Sequence, residues 1–191
     1  MEIMADATNV IAEGEVLQLM NAHDPDTSEQ RYLEVIYRKT ARLFEAGGEV
    51  AAVVSGAEEP AQRALAIYGR HLGTAYQLID DVLDYRADPE ERGKNLGDDL
   101  AEGKPTLPLI YALRNCAAAR GALIRDAIVT GGRDRLPEVM AAVESAGGLE
   151  YTASLACAEA QLALRALEPL APTRYRDALA DLVRFVVNRK N

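Results

Sequence analysis

Asp80, Asp81 and Asp84 form a DDxxD run. On a helix Asp80 and Asp84 share a face. Like charges at that spacing destabilise a helix, and acids near its C-terminal end oppose its dipole. A cation bridging the carboxylates would relieve the cost, and carboxylate oxygens suit Mg²⁺. Gln77 lies three residues earlier and extends the polar line. Apolar neighbours flank that line, so it should face a groove between helices rather than open solvent. Lys39 and Thr40 interrupt an apolar stripe, with Thr40 on its seam and Lys39 at its edge. A lysine turned inward there wants an anion. Lys94 and Lys104 each follow a glycine in a stretch that also carries Asp98 and Asp99. Glycine lets backbone and ammonium approach phosphate oxygens closely. Carboxylates, Mg²⁺ and lysines together describe a diphosphate site, where metal neutralises a leaving group that lysines hold.

Helices must position these groups. Apolar residues recur at three- and four-residue steps almost throughout. Leu33, Ile36, Tyr37, Leu43, Phe44, Val50 and Val54 make a first stripe, and Thr27 with Gln30 fits a capping box at its start. Leu65, Tyr68, Leu72, Ala75, Ile79 and Val82 make a second, opened by Glu59-Pro60, where proline suits a first turn. The spacing predicts further helices over 106–118, 121–131, 134–146, 149–167 and 173–189, separated by Gly- and Pro-marked breaks. No segment alternates with a two-residue period, so the expected fold is all-α. Periodicity begins at residue 1 with no cap ahead of it, which suggests that a preceding part is missing. Residues 86–105 form a glycine- and lysine-bearing loop without an apolar stripe, of a length that is usually functional or else disordered linker.

Composition sets the outer limits. The 191 residues suffice for one full-sized core, and a net charge of −9 argues against nucleic acid or an anionic membrane as the main partner. No apolar run approaches the roughly 18 residues of a membrane span, so no transmembrane segment is expected. Cys116 and Cys157 sit in Ala-rich surroundings and read as small core residues of a reduced compartment. His71, beside the second stripe, reads as a surface or cap residue. Neither His23 nor His71 follows a Glu by three residues, which excludes a di-metal oxidase bundle.

The ordered motifs resemble those of the trans-isoprenyl diphosphate synthases, the polyprenyl synthetase family, with the bacterial octaprenyl type nearest. They are 14–18 (GEVLQ), 32–44 (YLEVIYRKTARLF), 68–70 (YGR), 73–85 (GTAYQLIDDVLDY) and 93–113 (GKNLGDDLAEGKPTLPLIYAL). Tyr76 stands where the family usually has Phe. The resemblance implies an isoprenoid-synthase-type helical bundle lacking its N-terminal helices, forming a single helical domain over 1–191. It implies that Asp80, Asp81 and Asp84 serve Mg²⁺, with Asp80 the principal ligand. It implies that Lys39, Lys94 and Lys104 bind or neighbour an allylic diphosphate, that Thr40 and Gln77 stand near the carbocation, and that Lys39, Thr40 and Gln77 are the catalytic residues. The implied reaction joins a farnesyl-type allylic diphosphate to isopentenyl diphosphate, giving an octaprenyl-type precursor of quinone side chains. A cytoplasmic homodimer, meeting through roughly 5–22 and 28–55, is the implied setting. The family's first aspartate-rich motif and its glycine-lysine-arginine motif are absent from this sequence, so the chain is expected to carry half a site and to be inactive alone. The alternative is a non-catalytic helical subunit or partner of such a synthase; retention of the three aspartates and three lysines weighs against it.

Overall fold

The structure, a computed structural model, describes residues 1–86 and 96–189. Lys94 and its glycine therefore lie outside the described residues. Helix α1 (Glu2–Asn21) leads through a short turn to α2 (Glu29–Ile36). The cap of α2 is Ser28, whose hydroxyl accepts from the Arg31 N–H at 3.2 Å. The cap thus falls one residue after the expected Thr27, which is buried instead, and with Arg31 at the third helical position no capping box forms. The first stripe does not form one regular helix. Its middle widens into a π-helical turn, Tyr37–Ala41, before α3 (Arg42–Val54) resumes the α-helical pitch. Lys39 and Thr40 lie on that turn, and such bulges insert a residue that re-aims neighbouring side chains.

Helix α4 (Glu59–Leu83) begins with Pro60 in its first turn, as the sequence predicts, and is the longest element. It packs on α3 along one side and on α9 (Gly148–Ala166) along the other. Gly69 and Gly73 let α3 come close. A Cβ at Gly69 would overlap the Phe44 carbonyl, and one at Gly73 would lie 2.7 Å from the Ala41 Cα. On the α9 side, Tyr68, Leu72 and Ala75 meet Ala160, Ala163 and Leu167, and α10 (Arg174–Asn188) adds Val183 and Val186. Small α9 residues let the two long helices lie close along their length.

Further along α4, Leu78 and Ile79 pack with Tyr32, Ile36, Leu107, Ile110 and Ala156. Each such fully buried aliphatic chain contributes roughly 1.5–3 kcal/mol. After α4 come the single turn α5 (Asp98–Ala101), α6 (Leu107–Asn115), α7 (Ala118–Thr130), a 3₁₀ turn at Arg133–Arg135 and α8 (Leu136–Ser145). The expected loop over 86–105 thus contains α5, whose Leu100 is fully buried beside Tyr85, Leu109 and Ile128. One leucine anchors what the periodicity leaves without a stripe.

Two minor expectations fail. Cys157 is exposed, whereas the half-buried Cys116 does pack against the core of Leu109, Ile124 and Val143. The inner face of α9 is made by Ala156, Ala160 and Ala163, and one step along a helix turns Cys157 about 100° away from it. His71 is neither cap nor free surface residue. Because α9 lies against α4 there, its Nδ1 sits 2.6 Å from Glu159 Oε2, both side chains about a fifth exposed.

Candidate functional site

A cavity of about 280 Å³ opens where α1, α2, the π turn, α4 and the segment around α5 converge. Asp80, Asp81, Gln77, Lys39, Thr40 and Lys104 all line it, so six of the sequence-derived site residues share one space. Asp84 sits one turn on and does not line it.

The three aspartates have different environments. Asp81 is 2% exposed. Its Oδ2 accepts from the Tyr32 hydroxyl at 2.6 Å and its Oδ1 from Gln77 Nε2 at 2.8 Å. Burial drives its pKa up to about 8, the Asp99 charge adds to the rise, and the Tyr32 and Gln77 hydrogen bonds oppose it. Burial and the Asp81 carboxylate likewise hold the Tyr32 phenol well above its ordinary range. Asp84 Oδ2 accepts from the Asp99 backbone N–H at 3.3 Å, and burial followed by the Asp99 charge lifts its pKa to about 6. Asp80 is the open one: its side chain is 53% exposed. Among the described residues no group of three or more Asp, Glu, His or Cys gathers as a cation cage. Mg²⁺ fits this arrangement nevertheless, because it usually takes one or two carboxylates and completes its shell with water and substrate oxygens.

Thr40 and Gln77 form one unit. The Thr40 hydroxyl donates to Gln77 Oε1 at 3.0 Å, and Gln77 passes its amide N–H to Asp81. The chain Thr40–Gln77–Asp81–Tyr32 fixes the rotamers of a polar line that the sequence shows only as spacing. Lys39 Nζ donates to Gln18 Oε1 at 3.0 Å and pairs with Glu15 Oε2 at 3.2 Å. Lys104 Nζ pairs with Asp99 Oδ1 at 3.0 Å and Glu102 Oε2 at 2.6 Å. Burial works against the Lys104 charge, but the hydrogen bond to Glu102 and the Asp99 charge outweigh it and raise the pKa.

Several participants have no signal in the motif spacing. Arg189, more than a hundred residues from the aspartates, lays its guanidinium over the Tyr76 ring at 4.0 Å. Its Nη2 donates to the Tyr76 carbonyl and to Asp80 Oδ1, each at 3.1 Å. Here Arg189 balances Asp80, and the Asp99 amide serves Asp84. Asp99 lines the cavity, whereas Asp98 points away to Arg133 at 2.8 Å. Asn21, Thr27 and Thr106 also line the cavity, buried and with side-chain polar atoms that have no hydrogen-bond partner among the described residues. Buried polar atoms in such a chamber are satisfied by water or ligand.

Known proteins place these features in context. A family profile described as polyprenyl synthetase matches residues 1–145. An octaprenyl diphosphate synthase of Haemophilus influenzae is 55% identical over 190 residues, covering 99% of this chain and 58% of its own length. An all-trans-nonaprenyl-diphosphate synthase (geranyl-diphosphate specific) of Rhodobacter capsulatus is 49% identical over 182 residues, 94% of this chain and 55% of its own. The crystal structure of a Caulobacter crescentus polyprenyl synthase, complexed with calcium and isoprenyl diphosphate, superposes with a TM-score of 0.94. That protein is 41% identical, and the match covers all of this chain and 58% of the other. The chain thus spans less than two thirds of the length of the relatives it matches.

Proposed function

Because the chain belongs to the polyprenyl synthetase family, we propose that it forms the second-aspartate half of a trans-prenyltransferase site, acting on an allylic diphosphate and isopentenyl diphosphate. The observation that carries this reading is the convergence of Lys39, Lys104, Asp80 and the Thr40–Gln77 pair on one cavity. Asp80 would hold Mg²⁺ through its open carboxylate, with the buried Asp81 and the half-buried Asp84 behind it. Bound Mg²⁺ would neutralise charge on the departing diphosphate. Lys39 and Lys104 hold phosphate oxygens, exchanging their present carboxylate and amide partners for them. Lys94 takes the same role in the reading from sequence. The Thr40 hydroxyl and Gln77 carboxamide present oriented dipoles beside the allylic carbons, where positive charge develops. Val35 and Ile36 give the cavity an apolar wall that keeps water from the cation.

The octaprenyl-type product is the one favoured by the 55% identical relative. Mass spectrometry of the prenyl product fixes its length. The setting proposed is cytoplasmic; no described helix is long and apolar enough to cross a membrane. A homodimer is proposed as well. Val16, Leu19 and Met20 on α1 are 57%, 72% and 67% exposed, an apolar row within the face the resemblance assigns to a second copy.

The test is an assay with radiolabelled isopentenyl diphosphate and farnesyl diphosphate. The 191-residue chain should yield no measurable long-chain product. Removing one preorganised electrostatic group costs about 100- to 1,000-fold in rate, and the facing cluster is absent from this sequence. A protein extended to the length of its relatives should be active and Mg²⁺-dependent. Robust product from the chain alone refutes the half-site reading.

A further inference from the structure

His23 is the one non-glycine residue in the described chain with a left-handed backbone, at φ +62°. It lies in the turn between α1 and α2, outside every motif that the chemistry uses. Such conformations cost energy and persist where the surroundings enforce them. Two contacts enforce this one. The His23 backbone N–H donates to the Gly103 carbonyl at 2.8 Å. Its ring Nδ1 lies 3.1 Å from the Ile128 carbonyl. A carbonyl only accepts, so Nδ1 carries the proton.

The ring covers Gly103 closely. A Cβ at position 103, where φ is +66°, would overlap the His23 imidazole. From the other side Gly131, which ends α7, approaches the Ala101 carbonyl so closely that a Cβ would stand 2.7 Å from it. The end of α5 and the Gly103–Lys104 step are therefore pressed between the α1–α2 turn and the end of α7. The next residue is Lys104, which lines the cavity and is set against Asp99.

We propose that His23 is a positioning residue, whose left-handed backbone and ring fix the Gly103 carbonyl and so aim the Lys104 ammonium at a bound diphosphate. This rests on the function proposed above, in which Lys104 meets phosphate oxygens. The device has two parts: the backbone N–H sets where Gly103 sits, and the Nδ1–H bond to Ile128 keeps the ring over it. Asn meets both demands. It tolerates a left-handed backbone, and its amide N–H can donate to a carbonyl. Ala meets neither.

Calorimetry of the 191-residue chain with inorganic diphosphate and Mg²⁺ tests the proposal through His23→Ala, His23→Asn, Lys104→Ala and the double variant His23→Ala/Lys104→Ala. His23→Ala and Lys104→Ala should each weaken binding about tenfold, the worth of one charge-assisted hydrogen bond. The double variant should bind no more weakly than Lys104→Ala, because His23 acts through that lysine. His23→Asn should bind within about twofold of wild type. Wild-type affinity in His23→Ala, or losses that multiply in the double variant, overturns the proposal. Amide hydrogen exchange gives a second arm. In His23→Ala the Gly103 and Lys104 amides should exchange about tenfold faster while α4 and α9 keep their protection. Unchanged exchange at those amides overturns the proposal even where diphosphate binding fails. Failure of wild type to bind diphosphate, with exchange altered as expected, falls on the proposed function and not on the hold of His23 over the loop.

Discussion

Asp81→Asn should change how stability depends on pH, and the structure gives sign and size. Asp81 is 2% exposed, so solvent screening needs no discount. Its pKa rises from an ordinary 3.8 to about 8, chiefly through burial. Between those values the folded chain keeps a proton that the unfolded chain releases. Stability is then fully present below the unfolded value and is lost as pH rises toward the folded one. One proton contributes a slope of about −1.4 kcal/mol per pH unit, or roughly 3 kcal/mol between pH 5 and pH 7. Asp84, lifted to about 6, adds a loss of the same sign below that value. It is present in both proteins and drops out of their difference. The assay is urea unfolding in chelator at pH 5, 6 and 7. Asn is a neutral isostere that cannot titrate, so the stability curves of wild type and variant should differ by that slope, whatever their offset at pH 5. Parallel curves would refute the claim that burial keeps Asp81 protonated in the metal-free chain.

Three further outcomes follow from the packing and the site. Gly73→Ala places a Cβ 2.7 Å from the Ala41 Cα; the end of the π turn and α4 must part, stability should fall by about 1–3 kcal/mol in urea, and a silent substitution would contradict the close helix contact. Arg189→Ala frees Asp80 Oδ1 from its 3.1 Å partner, so Mg²⁺ should bind the chain more tightly by calorimetry, and an unchanged affinity would show that the guanidinium does not hold that oxygen. Sedimentation at micromolar concentration should show a dimer that Leu19→Glu dissociates, since Leu19 is 72% exposed; a clean wild-type monomer would contradict the α1 interface.

The helices were largely legible because each buries one face, and the three- and four-residue periodicity of Leu65, Tyr68, Leu72 and Ile79 records it directly. The π turn was not. Lys39 and Thr40 look like an interruption of a stripe, and nothing local says that the backbone widens to accommodate them. The grouping of Lys39, Thr40, Gln77, Asp80, Asp81 and Lys104 was legible from residue type and order together with the resemblance of the motifs, since polar groups on apolar seams, paired carboxylates and a lysine beside a glycine each need a partner. Their partners were not. Nothing in the motif spacing ties the Tyr32 hydroxyl to Asp81 or the Arg189 guanidinium to Asp80. Both contacts span long sequence separations, which local spacing does not encode. Asp98 and Asp99 are indistinguishable in sequence. The short turn α5 separates them, sending one into the cavity and the other to Arg133.

The central claim is that the lysines and Asp80 bind diphosphate through a metal. Titration calorimetry of the 191-residue chain with inorganic diphosphate, run with Mg²⁺ and again in chelator, tests it most directly. Binding should appear only with Mg²⁺ and should vanish in Asp80→Ala, since Asp80 is the one aspartate of the run that offers an open carboxylate to the cavity. Equal binding in chelator, or unaltered binding in Asp80→Ala, would contradict the account.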